Sequence, residues 1–168
     1  MPRASSRSID LNAESYARLR EVAEDNVAVN LDPSHFWWQG IDPLATVERI
    51  GAEVALAHGK DTLLYPERIR LHGVLDFRWP SDPAMTPWHF CAVGRGRPAS
   101  EWGAMLGALR DAGYCGPISI EHEDPNLDPE TGVEVSRRGL LAASKLNAVS
   151  PEVSRKSPAN VASQIDAM

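Results

Sequence analysis

Three short apolar runs constrain this chain most, because each is followed at once by a group able to bind a metal ion. Val27 to Leu31 leads into Asp32-Pro33, Val54 to Ala57 into His58, and Pro117 to Ile120 into Glu121. Unbroken apolar runs, some rich in β-branched residues, read as strands buried on both faces, which is the pattern of a parallel sheet. Between them the period changes to that of a helix. Asn12 to Glu24 places Tyr16, Leu19, Val22 and Ala23 on one face, with Asn12 as a candidate N-cap. A second helix is predicted from Asp42-Pro43 to Ile50, with Pro43 in its first turn and Gly51 at its end. A third spans Ser100 to Ala112, carries Trp102, Met105, Leu106 and Leu109, and stops at Gly113; a fourth covers Val133 to Leu146. Phe90 to Val93 is a weaker strand, and residues 59 to 87, with prolines at 66, 80, 83 and 87, read as a long loop. The expectation is an α/β fold of about four parallel strands with covering helices.

A chain of 168 residues with 43% hydrophobic content has the size and the apolar material for one domain. No stretch approaches the roughly 18 apolar residues of a membrane helix. The opening MPRASSRSID lacks the apolar segment of a secretory signal. A soluble cytoplasmic protein without a membrane partner is expected. Cys91 and Cys115 form no CxxC pattern, so neither a thiolate site nor a disulfide is read from them. A formal charge of -6 repels phosphate backbones and excludes a nucleic-acid partner. Arg68, Arg70, Arg95 and Arg97 suffice for one small anion at most. Ser150 to Met168 is polar and aperiodic, and a disordered tail is expected from residue 147 onward.

In a parallel sheet all C-terminal strand ends share one edge, so Asp32 with His35, His58 with Asp61, and Glu121 with His122 and Glu123 can converge there. Mixed carboxylate and imidazole donors suit a borderline divalent ion such as Mn²⁺, Co²⁺ or Zn²⁺ better than Ca²⁺. Each group also has a plainer reading. Asp32-Pro33 can be a capping turn, His58 a hydrogen-bonded structural histidine, and the EHED cluster a solvated acidic turn. Arg95 and Arg97 divide between surface charge and anion contacts, and Trp37-Trp38 between core and an aromatic wall for a sugar ring.

The segments NLDPSHFWWQGIDP, AHGKDT, VGRGRPASEW and GALRDAGYCGPISIEHED resemble the second half of a xylose isomerase-like TIM barrel, the superfamily of sugar phosphate isomerases and epimerases. The resemblance spans roughly Ala13 to Leu141. It implies a partial TIM barrel, a half-barrel over residues 12 to 146 preceded by a disordered or remnant N-terminus of residues 1 to 11. In that superfamily four ligands, from the fourth, fifth, sixth and eighth strands, hold one divalent cation (Mn, Co, Zn or Mg). The positions matching them here are Asp32, His58 and Glu121. Glu121 is then also the candidate catalytic acid/base, and His35 matches a substrate-contacting histidine. Asp61, Arg95 and Arg97 complete the candidate substrate-binding set.

Three departures stand out. Leu56 occupies the place of a second histidine two positions before the ligand, and Cys91 lies where an arginine often sits. The strand bearing a first metal-binding glutamate, expected before the helix at 12 to 24, has only MPRASSRSIDL in its place. A half-barrel exposes edge strands and an apolar inner face. Homo-oligomerisation or a separate N-terminal half is therefore expected, with weak metal binding and at best weak activity on a small sugar or sugar phosphate. Two further expectations are a non-catalytic fragment of a disrupted gene and a metal-dependent hydrolase or dehydratase on the same scaffold.

Overall fold

The computed structural model describes residues 12–23, 27–76 and 83–147. Helix α1 covers Ala13–Ala23. Asn12 caps it as its residue type predicts, accepting from the backbone N–H groups of Glu14 and Ser15 at 3.1 and 2.9 Å. Strand β1 (Val29–Leu31), helix α2 (Ser34–Gln39), helix α3 (Pro43–Ile50), strand β2 (Val54–Gly59) and strand β3 (Asp61–Leu64) follow. Then come α4 (Pro66–His72), β4 (Trp88–Cys91), α5 (Ala99–Asp111), β5 (Ile118–Ile120) and α6 (Pro129–Asn147). Asp42 caps α3 by accepting from Leu44 N–H at 2.9 Å.

The apolar runs build a parallel sheet in the order β1-β2-β5, and with its helices this is the mixed α/β architecture of a partial TIM barrel. The expected fourth parallel strand is not one. Phe90 belongs to β4, which begins two residues earlier at Trp88 and pairs antiparallel with β3, a strand inside the segment read as loop. That segment also holds α4, and α2 is likewise an element the apolar pattern does not announce. The signal is lost because β3 opens on Asp61 and Thr62, two polar residues buried at 0% exposure. Burial there is supported by hydrogen bonds from distant backbone, which hydropathy does not encode. Helix α6 starts four residues before the predicted Val133. The expected disorder of residues 1 to 11 and of the tail from 148 lies outside the described residues.

The sheet's two faces differ. Leu31 and Ala57 turn toward Val47 of α3 and Met105 and Leu109 of α5, with Ile118 packed against them, and this is the main core. Gly51 serves that packing rather than a left-handed cap: its φ is -63°, and a Cβ there would stand 2.7 Å from the Ala112 side chain. The opposite face, the inner face of a barrel, is open. Alternation places Asn30, Leu56 and Ser119 on it, in register as Asn30 opposite Leu56 and His58 opposite Ser119. All three are exposed, although Leu56 lies in the central strand.

Candidate functional site

The same alternation carries the inner face to the sheet's C-terminal edge: two residues beyond Asn30, Leu56 and Ser119 stand Asp32, His58 and Glu121. One donor atom from each of these three lies within 4.8 Å of the others. Asp32 fulfils both readings of its Asp-Pro turn, one oxygen each. Its Oδ1 accepts from the Ser34 backbone N–H at 3.0 Å and the Ser34 hydroxyl at 2.6 Å, starting α2. Its Oδ2 faces the cluster, 3.5 Å from His35 Nε2. His58 Nδ1 donates to Glu121 Oε2 at 2.7 Å. With bonds near 2.1 Å, opposite ligands of one ion stand about 4.2 Å apart, so two carboxylates and one imidazole at this spread fit a small divalent cation after slight adjustment. The donor chemistry fits Mn²⁺, Co²⁺, Zn²⁺ or Mg²⁺.

Sequence reasoning missed Lys60, which sits among these acids at 2% exposure. Its Nζ lies 3.1 Å from Asp32 Oδ2, 3.0 Å from Glu121 Oε2 and 3.0 Å from Glu123 Oε1. The signal was available: Lys60 is two residues past His58, so the strand period puts it on the same face. Burial alone lowers an ammonium's pKa, yet the charge of Asp32 and the carboxylate acceptors outweigh it and hold Lys60 above its ordinary value. Burial likewise raises Glu121, but hydrogen bonds from His58 and Lys60 win and pull it down to about 2. Glu121 is therefore an anion throughout the neutral range.

An aromatic wall borders the cluster. Phe90 lies under the Lys60 ammonium at 4.4 Å and meets His35 edge-on at 5.1 Å. Trp88 packs edge-on against Phe90 at 5.3 Å, and Trp38 stacks flat on Trp88 at 4.7 Å. The tryptophan pair of the sequence thus divides its roles: Trp38 extends the wall, whereas Trp37 meets the buried Trp102 in the interior. Phe90 and Trp88 were invisible as site residues because Phe90 was read as part of a main-sheet strand and Trp88 as part of no element.

Asp61 and the two arginines stand elsewhere. Asp61 is completely buried. Its Oδ1 accepts from Thr62 N–H, and its Oδ2 from the N–H groups of Gly94, Gly96 and Arg97 and from Trp102 Nε1. It organises the Gly94 to Arg97 loop, filling the place an anion would take among those donors. Arg95 is ion-paired with buried Asp124, and Arg97 lies 5.5 Å over Trp37 with Glu101 at 3.9 Å. Their commitments, not their charge, set what the GRGRP segment can do.

A family profile described as xylose isomerase-like TIM barrel matches residues 9–143. The chain is also 34% identical over 129 residues to the "Uncharacterized protein YfiH" of Bacillus subtilis (strain 168), a match covering 77% of this chain and 41% of the relative. The chain thus spans less than half of the length of this relative. No helix among the described residues is long and apolar enough to cross a membrane. The profile match extends over most of the chain and agrees with a parallel sheet whose strand ends gather Asp32, His58 and Glu121, so the chain belongs to the xylose isomerase-like TIM barrel family.

Proposed function

We propose that this chain supplies the metal-binding edge of a sugar isomerase or epimerase, with Asp32, His58 and Glu121 as ligands. The convergence of these three donors within 4.8 Å carries the reading. When bound, a divalent cation polarises a substrate carbonyl and lowers the barrier to removing the neighbouring C–H proton. The chain's own residues do the rest. His35, edge-on to Phe90 at the mouth, hydrogen-bonds substrate hydroxyls. Phe90, Trp88 and Trp38 offer apolar faces to the C–H side of a sugar ring. Glu121 acts as proton acceptor once His58 and Lys60 turn their donors away, since a carboxyl held near 2 is a weak base while it keeps them. Because Arg95 and Arg97 are engaged by Asp124, Trp37 and Glu101, a neutral sugar suits the site better than a sugar phosphate.

The exposed inner face favours a second statement about the same reading. Leu56 at 36% exposure on a central strand, with exposed Asn30 opposite it, calls for a covering layer, and we propose that complementary βα units supply it. Without that layer these residues are expected to catalyse weakly or not at all. The test is exchange of the substrate C–H proton into deuterated water, followed by NMR across a panel of ketoses with Mn²⁺ present. Exchange that disappears in Glu121→Gln supports the reading, and absence of exchange for the chain with its covering layer restored overturns it.

A further inference from the structure

Lys60 has no place in the ligand set, yet its ammonium bridges two of the three ligands. Asp32 Oδ2 and Glu121 Oε2 both face Nζ, at 3.1 and 3.0 Å, so the side from which a cation would reach both oxygens is the side the ammonium already occupies. Metal–oxygen bonds near 2.1 Å draw the ion into that same space, and two positive charges there repel strongly in a half-buried setting. Among the described residues, Glu123, outside the triad and 3.0 Å from Nζ, is the acid left to keep the lysine once the other two are taken. Without Lys60, three carboxylates would face one another with no ammonium among them, a costly arrangement for groups this close.

We propose that Lys60 and the divalent cation compete for the same carboxylate oxygens: Lys60 holds Asp32, Glu121 and Glu123 together when metal is absent, sets how tightly metal binds, and swings to Glu123 when metal enters. This rests on the metal-site reading above and makes Lys60 a positioning residue with an affinity role opposite to that of a supporting one.

Calorimetric titration of chelator-treated protein with Mn²⁺ alone, on the wild type and on Lys60→Met, tests it. Removing a supporting lysine would weaken binding, whereas removing a competitor should tighten it by about tenfold or more. Wild-type binding with an unchanged or weaker Lys60→Met constant overturns the competition and leaves the metal site standing. No binding by either protein at millimolar Mn²⁺ or Zn²⁺ overturns both. Should Lys60→Met fail to fold, the wild type still answers through lysine acetylation read by mass spectrometry. Lys60 is shielded and tied, while Lys145 on α6 is exposed and serves as the internal reference. Saturating Mn²⁺ should raise Lys60 labelling severalfold relative to Lys145, and an unchanged ratio in metal-loaded protein overturns the proposal.

Discussion

His58 and Glu121 meet at 2.7 Å across 63 residues of sequence, joined by nothing but neighbouring registers of two parallel strands. The ladder continues past β5, where Glu121 N–H reaches the Gly59 carbonyl at 3.4 Å, so the backbone itself carries Glu121 one step beyond the Gly59–Ile120 pair, diagonal to His58 on the same face. Such a pair needs no loop to be ordered before it can act on a ligand.

If that pair and Asp32 ligate one ion, substituting any of the three removes a donor from a small set. His58→Ala, Asp32→Asn and Glu121→Gln are each expected to weaken Mn²⁺ binding by about 100-fold or more, beyond the 10- to 100-fold loss typical of supporting residues. Calorimetry on the chelator-treated variants measures this. Asp32→Asn should also cost some stability, because Asp32 Oδ1 starts α2 through Ser34.

Asp61 gives a prediction of the opposite kind, with effect on the fold first. Four N–H donors converge on its Oδ2 and a fifth on its Oδ1. An Asn side chain can offer its single oxygen to the four, but its amide group then confronts the Thr62 N–H donor. Asp61→Asn is expected to destabilise by about 2–4 kcal/mol in urea unfolding, and Asp61→Ala by more, since all five buried donors then lose their acceptor.

Gly96 probes the same loop from the other side. A Cβ at this position would stand 2.2 Å from the Thr62 carbonyl oxygen and 2.7 Å from Asp61 Oδ1, both fixed within β3. The loop must move outward to admit even one methyl group, which breaks the N–H bonds it makes to Asp61. Gly96→Ala should cost about 1–3 kcal/mol in the same unfolding measurement.

How much of this was readable in the residues depends on the kind of burial. Leu31, Ala57 and Ile118 advertise their strands because apolar side chains are buried by their own chemistry, and the groups following them fall into place by strand geometry. Asp61 and Thr62 are as deeply buried, but their burial is supported by Gly94, Gly96, Arg97 and Ser34, all far along the chain. No local pattern marks such a pair, so β3 and its antiparallel pairing with β4 were hidden, and with them Phe90 and Trp88 as a wall. Asp61, Arg95 and Arg97 drew attention as polar residues near a strand end, and the structure spends them on one another's surroundings. Lys60 is the case where the pattern was present: its offset from His58 gives its face, and the acids gathered there require a counter-charge.

The wall predicts a separation between binding and fold. Phe90 touches Lys60 and His35, whereas Trp102, which carries the core beneath Val93 and Ala143, does not reach the cluster. Phe90→Leu keeps an apolar side chain in β4 and should leave Mn²⁺ affinity unchanged while reducing sugar affinity by about twofold to tenfold, in line with the roughly 0.5–1.5 kcal/mol an aromatic contact contributes. Trp102→Leu should instead lower the unfolding free energy by about 2–4 kcal/mol, read from denaturant titration.

Acid should attack the molecule through Asp124. Its side chain is wholly enclosed and is ion-paired with Arg95. It also accepts from Ala92 N–H at 3.0 Å and Asn126 N–H at 2.9 Å, which fastens the end of β4 to the segment after β5. Burial by itself raises this carboxyl, but those backbone donors and Arg95 outweigh it, so the folded protein holds Asp124 below the ordinary value of 3.8. A carboxyl depressed on folding contributes stability that is present in full above its unfolded pKa and is lost as pH falls through the folded one. Unfolding free energy should therefore be flat with respect to this group at neutral pH and decline below about pH 4. Asp124→Asn keeps the shape and removes the charge, leaving Arg95 without its counter-ion. Its cost should be about 2 kcal/mol or more at pH 7 and shrink toward zero in strong acid, where the wild-type carboxyl is itself protonated. Urea titrations of both proteins at neutral and acid pH measure the difference, and a gap that stays constant between them would mean that Asp124 acts through packing alone.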